Sequence, residues 1–235
     1  MSLSLTPFRS AALAASFAFA LAACGGANSS GSGDPADGDA PAAGSADAEI
    51  TEGDGALSDM TVGSADAPVT VIEYASTTCP HCATFHETVY PEIKEKYVDT
   101  GKVRFVFREF PTAPANLAFA SSMLARCAAD KGGTDAYFVV LDALFKTQRT
   151  WIGSATPRAE LLKIAAQANM TESDFDACVN RQELVDFLNE NISEGSQKYN
   201  ISSTPSFVVN GETRHFSSAE DFSEAIDAAL ADAGE

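Results

Sequence analysis

At 235 residues, 45% hydrophobic and 20% charged, the chain has material for one or two domains with a buried core, which excludes a wholly disordered protein. Its 15 Lys and Arg against 33 Asp and Glu leave a formal net charge of −18. That is the wrong sign for neutralising phosphates, so nucleic acid is not an expected partner. Five cysteines, an odd number, and three histidines bound the redox and metal chemistry available.

The chain begins with one early cation, Arg9, and an apolar run from about Ala11 to Ala23, too short for a comfortable bilayer span and suited to a signal-peptide core. The run ends Leu21-Ala22-Ala23-Cys24-Gly25. This resembles the lipobox of bacterial lipoproteins, which implies cleavage of residues 1–23, lipidation of Cys24 and export to an oxidising compartment. A plain secretory signal with a chance cysteine is the alternative. From Gly25 to Asp59 the composition turns to Gly, Ser, Ala, Asp and Pro, with eight acidic residues and no basic one. Such a segment cannot offset its ordering entropy, so 24–59 reads as a disordered acidic tether between lipid and domain.

The expected folded part starts near Met60. Val69-Thr70-Val71-Ile72-Glu73-Tyr74-Ala75 is β-rich and apolar except for Glu73, as a strand covered on both faces should be. It leads into Cys79-Pro80-His81-Cys82, after which Phe85, Val89, Ile93 and Tyr97 recur every four residues up to Gly101, predicting one helix with Cys79 at its N-terminus. A second strand is expected over Val103 to Phe110. The stretch from about Pro114 to Tyr199 reads as four or five amphipathic helices broken at Gly132-Gly133, Gly153, Pro157 and Thr171. Ser206–Val209, the Asn210-Gly211 turn and Thr213–Phe216 read as a hairpin, and Ala219 to Leu230 as a final helix.

Cys79-Pro80-His81-Cys82 after a buried strand, Phe107-Arg108-Glu109-Phe110-Pro111, and Ser203-Thr204-Pro205-Ser206-Phe207-Val208-Val209-Asn210-Gly211 together resemble the DsbA-like family of thiol-disulfide oxidoreductases. The resemblance spans roughly residues 60 to 235. It implies an α/β thioredoxin-like fold, residues 60–112 and 200–235, carrying a large α-helical insertion over 113–199. It further implies an exported enzyme that introduces or shuffles disulfides through Cys79 and Cys82, with no cofactor beyond its own dithiol.

The residues bear this chemistry independently. A thiol that exchanges disulfides must attack as thiolate and leave well, which requires a pKa below the free value of about 8.5. A helix N-terminus favours an anion at Cys79, Pro80 suits the first turn because its missing N–H would be orphaned there, and His81 can donate to the sulfur. Cys82, deeper in the helix, would be the resolving thiol. Two zinc ligands with His86 or His215 are the competing reading of the pair, but no second C-x-x-C or H-x-x-x-H completes four ligands.

The resemblance places a buried acid at Glu73 beneath the pair, able to exchange a proton with Cys82; a solvated carboxylate, or one paired to Arg108, is the alternative. It also implies a cis proline at Thr204-Pro205, with the Thr204 backbone open to an extended substrate peptide. Cys127 and Cys178 remain, either as a second disulfide stapling two insertion helices or as two separately buried thiols; the pair completes the cysteine count. Trp151 reads as a packing residue, and His86 as a surface or packing histidine. The expected partners are reduced or unfolded exported proteins and a DsbB-like membrane redox protein. The expected setting is the periplasmic side of a bacterial membrane, as a lipid-anchored monomer. A reductase, or a metallochaperone using the two cysteines as soft ligands, is the competing function.

Overall fold

The computed structural model describes residues 49–216 and 218–234. The signal segment, the lipobox Cys24 and most of the acidic tether lie outside the described residues.

Five strands form one mixed sheet in the order β1 (Met60–Val62), β3 (Val103–Glu109), β2 (Val69–Ala75), β4 (Ser206–Val209), β5 (Glu212–Arg214). β2 and β3 run parallel, and the other neighbours are antiparallel. The central position of β2 follows from its apolar run. Val69 and Val71 pack with Phe105, Phe207 and Phe222 on one face, and Ile72 and Tyr74 with Val106, Val208 and Ile201 on the other. A strand covered on both sides has no solvent face on which to place a polar side chain. Glu73 nevertheless lies there, opposite Phe107 and Phe207 in the register.

The helix expected from Cys79 to Gly101 is interrupted. α1 (Pro80–Thr88) ends at Val89, α2 (Tyr90–Ile93) follows, and Lys94–Val98 form a π turn before Gly101, at φ 78°, ends the run. Pro91 explains the break, because it has no N–H to continue the α1 ladder. The apolar period survives, since Phe85, Ile93 and Tyr97 all face the same core.

The helical insertion comprises α3 (Ala115–Lys146), α4 (Gln148–Gly153), α5 (Pro157–Ala165), α6 (Glu172–Cys178) and α7 (Gln182–Lys198). α3 bends where Gly132 and Gly133 leave helical geometry, the latter at φ 69°. Thr171 and Asp174 close a capping box on α6. α8 (Ala219–Ala233) ends the fold, with Ser218 accepting from the Asp221 N–H. Among the described residues no helix is long and apolar enough to cross a membrane.

Residues 49–59, assigned by composition to the tether, belong to the fold. Ala56, Ser58 and Asp59 are buried. Arg108 grips the Asp59 carboxylate with Nε and Nη2 at 2.9 and 2.8 Å, and donates to the Glu49 carbonyl at 2.7 Å. Arg126 donates to the Ala56 and Ser58 carbonyls, both at 2.9 Å. Composition misplaces this boundary because the segment carries few apolar residues, of which Ile50 and Ala56 reach the core, and is tied down by hydrogen bonds from distant arginines.

Candidate active site

Cys79 is the N-cap of α1 and Pro80 is its first residue. The preceding loop is tied down from several directions. The Cys79 N–H donates to the Ser76 carbonyl at 3.0 Å, and the Ser76 hydroxyl accepts from the Thr112 N–H at 3.1 Å. The Thr77 hydroxyl bonds Ser121 of α3 at 2.6 Å. Gln148, at the start of α4 and buried, donates through Nε2 to the carbonyls of Thr77 at 2.8 Å and of Cys79 at 2.9 Å. The helical insertion thus holds the active-site turn from above.

Both cysteines are reduced. Cys79 is 7% exposed and Cys82 fully buried. The Cys79 thiol is held down to about 5, first by a hydrogen bond from the Cys82 thiol, then by the Thr204 side chain and the backbone N–H groups of Cys82 and His81. Desolvation opposes this but does not prevail. Cys82 is pushed far up, chiefly by its own burial, then by serving as donor to Cys79 and by the nearby Glu73 charge. One thiol is thus prepared as nucleophile and leaving group, and its neighbour as the keeper of a proton.

The Thr204-Pro205 peptide is cis, and the Thr204 carbonyl oxygen lies 3.2 Å from Cys79 Sγ. This loop, though 125 residues away in sequence, therefore forms the opposite wall of the site. His81 is exposed and lines a cavity of about 430 Å³ together with Phe85, Pro205, His215, Phe216 and Phe222. An aromatic trough bordering the nucleophile suits an extended, partly apolar chain.

Glu73 is fully buried under α1, and Arg108 is not its partner. Its Oε2 lies 2.8 Å from His86 Nε2, while Oε1 is buried without a hydrogen-bond partner among the described residues. His86 packs as expected, its ring stacked on Phe145 at 4.5 Å, but it also engages Glu73 beneath the active site, a contact the sequence did not show. The only available signal was the spacing of four from Cys82, which puts the imidazole on the same helix face. Gln148 was also missed, since nothing in an isolated glutamine marks it. Cys127 and Cys178 are joined by a disulfide between α3 and α6. Among the described residues no three His, Cys, Asp or Glu side chains converge to hold a metal ion.

A thioredoxin-type sheet, a C-x-x-C pair at a helix N-terminus and a threonine-cis-proline loop facing it define a thioredoxin-fold dithiol protein with an inserted helical layer. A thioredoxin family model matches residues 56–228. A Rickettsia bellii protein provisionally named protein-disulfide oxidoreductase is 36% identical over 172 residues, covering 73% of this chain and 64% of that one. Disulfide bond formation protein D of Bacillus subtilis is 26% identical over 185 residues, covering 72% of this chain and 76% of that one. Among solved structures, alpha-DsbA1 of Wolbachia pipientis superposes with a TM-score of 0.67 at 31% identity, covering 74% of this chain and 92% of that one. The chain belongs to the thioredoxin family, in its DsbA-like branch. It spans less than two thirds of the length of the Rickettsia relatives it matches, between 62 and 64% for three of them.

Proposed function

We propose that the chain is a protein thiol:disulfide oxidoreductase that introduces disulfides into exported proteins, or shuffles them, through Cys79 and Cys82. The observation that carries this reading is the opposite displacement of the two thiols, Cys79 down to about 5 and Cys82 upward. Stabilising the Cys79 thiolate stabilises the reduced protein, and that makes the disulfide form the stronger oxidant.

In the oxidised state a substrate thiolate attacks Cys79 Sγ. The Sγ–Sγ bond breaks, and its electron pair goes to Cys82, which takes up a proton because burial disfavours its anion. A second substrate thiolate then attacks the substrate sulfur of the mixed disulfide, and Cys79 departs as a stabilised thiolate. The substrate leaves with a disulfide, and the protein is left reduced, needing reoxidation by an electron-accepting membrane partner. The Thr204 backbone would align an extended substrate by strand-like pairing, with its side chains in the aromatic trough. The lipobox over residues 21–25 supports export and a lipid anchor at Cys24; exported in this way, the protein would work as a monomer on the periplasmic side of a bacterial membrane.

The test is the reduction potential of the Cys79–Cys82 couple in a glutathione buffer, read by quenching with a thiol label and mass analysis. A value well above thioredoxin's, about −270 mV, is expected. A value at or below it would make the protein an exported reductase and overturn the oxidising direction.

A further inference from the structure

Release of Cys82 requires a proton delivered to a buried sulfur, and its reattack requires that proton to be removed. Cys82 and Glu73 are both fully buried, so neither exchanges protons with water directly. The imidazole of His86 keeps 9% of its surface exposed and bonds the Glu73 carboxylate at 2.8 Å. It is fixed there by stacking on Phe145 of α3, with the rings of Phe107 and Tyr90 at 5.8 and 5.0 Å. The second carboxylate oxygen, Oε1, is buried with no partner among the described residues.

We propose that His86 is the proton port of the site, linking solvent to Cys82 through Glu73; this deepens the oxidoreductase reading and rests on it. When the Sγ–Sγ bond breaks and the electron pair passes to Cys82, a proton held at the Glu73–His86 pair moves to that sulfur. Water then restores a proton to the pair at the imidazole. In the reverse direction, when Cys82 attacks a mixed disulfide on Cys79, its proton goes to the pair and out by the same route. No outside oxidant or reductant enters the step. His86 acts through Glu73 and positions it. The groups facing the imidazole are Glu73 from β2, Tyr90 from α2, Phe107 from β3 and Phe145 from α3, so Glu73 and Tyr90 are the titratable ones. Tyr137 of α3, which also feels Glu73, holds its proton and donates its hydroxyl hydrogen bond to Glu109.

The experiment follows the attack of Cys82 on a Cys79–glutathione mixed disulfide by rapid quench from pH 5 to 9, in H2O and D2O, on the full chain, H86Q, E73Q and the double variant. Glutamine can keep a hydrogen bond to Glu73 but neither releases nor takes up a proton. H86Q is expected to slow the step about a hundredfold, the modest end of general acid–base contributions, and to change its pH profile and isotope effect. E73Q and E73Q/H86Q should be equally slow, because without the carboxyl the imidazole has nothing to relay. Alkylation of Cys79, which reports its thiolate, should not change in H86Q. An H86Q rate and pH profile equal to the parent's would overturn the relay, as would additive losses in the double variant or a slowing matched by altered Cys79 alkylation. Failure of the parent chain itself to exchange with glutathione would overturn the oxidoreductase reading and the relay together.

Discussion

Cys79 and Cys82 lie three positions apart, about one helical turn, yet one is prepared to hold a negative charge and the other a proton. Iodoacetamide alkylation of the reduced protein should therefore have a midpoint near pH 5 at Cys79, and leave Cys82 unmodified across the neutral range. The same displacement sets a stability trend. A thiol depressed in the folded state adds stability that is present in full above the unfolded value, about 8.5, and disappears as pH falls through about 5. The melting temperature of the reduced protein should thus rise between pH 5 and 8 relative to C79A. An unchanged difference across that range would mean that the thiolate is not preferentially held by the fold. At this scale Cys79, Pro80 and Cys82 were legible because their chemistry depends on local order, a turn followed by a helix N-terminus. The Glu73–His86 contact was not legible. The two residues are thirteen positions apart, and their meeting depends on which face of β2 turns toward α1.

Individual elements were readable where their own composition decided them. β2 and β4 fall on the apolar runs that predict them, and the bend of α3 falls on its glycine pair. The break of α1 was hidden because the apolar period continues through Pro91 in spite of the lost ladder. The role of α4 was hidden more completely. Its six residues look like a connector, but Gln148 at its start holds two backbone carbonyls of the active-site turn. Q148A removes both bonds, although the Cys79 carbonyl keeps the Ala83 N–H as a donor, and at roughly 1 kcal/mol for each lost bond the protein should lose about 2 kcal/mol. Urea unfolding measures this. The substitution should also raise Cys79 reactivity toward large alkylating agents, because the turn loses its upper restraint. A stability within about 0.5 kcal/mol of the parent's would show that the turn is held by Thr77 and Ser76 alone.

Across the whole molecule, the arginines Arg108 and Arg126 connect parts of the chain that composition separates. Arg108 on β3 meets Asp59 and Glu194, and Arg126 on α3 meets Glu109 on β3. Breaking a buried pair from one side usually costs 3–5 kcal/mol. D59N should fall near about 3 kcal/mol, because Glu194 and the Glu49 carbonyl remain to Arg108. A chain started at Met60 should lose at least as much, which differential scanning of the two would reveal. The Cys127–Cys178 disulfide, with a sequence separation of 51, restrains the unfolded chain by about 4 kcal/mol in the loop-entropy account. C127S/C178S should therefore unfold at lower urea while its Cys79–Cys82 potential stays unchanged, since that bond lies in the insertion and not at the active-site turn. The disulfide was open to reading from the cysteine count, whereas the buried ion pairs have no local sequence signature. Arg108 and Glu109 fall inside a strand where charge looks misplaced until the partners are known.

The Glu109 carboxylate makes the insertion indispensable. It is buried on the sheet, and Arg126, Tyr137 and Asn191, all from insertion helices, are its hydrogen-bond partners. Cutting residues 113–199 out of this chain to obtain a minimal thioredoxin would strand that carboxylate without a counterion. The inserted helices therefore cannot be exchanged as a cassette between relatives unless the strand residue beneath them travels with the graft.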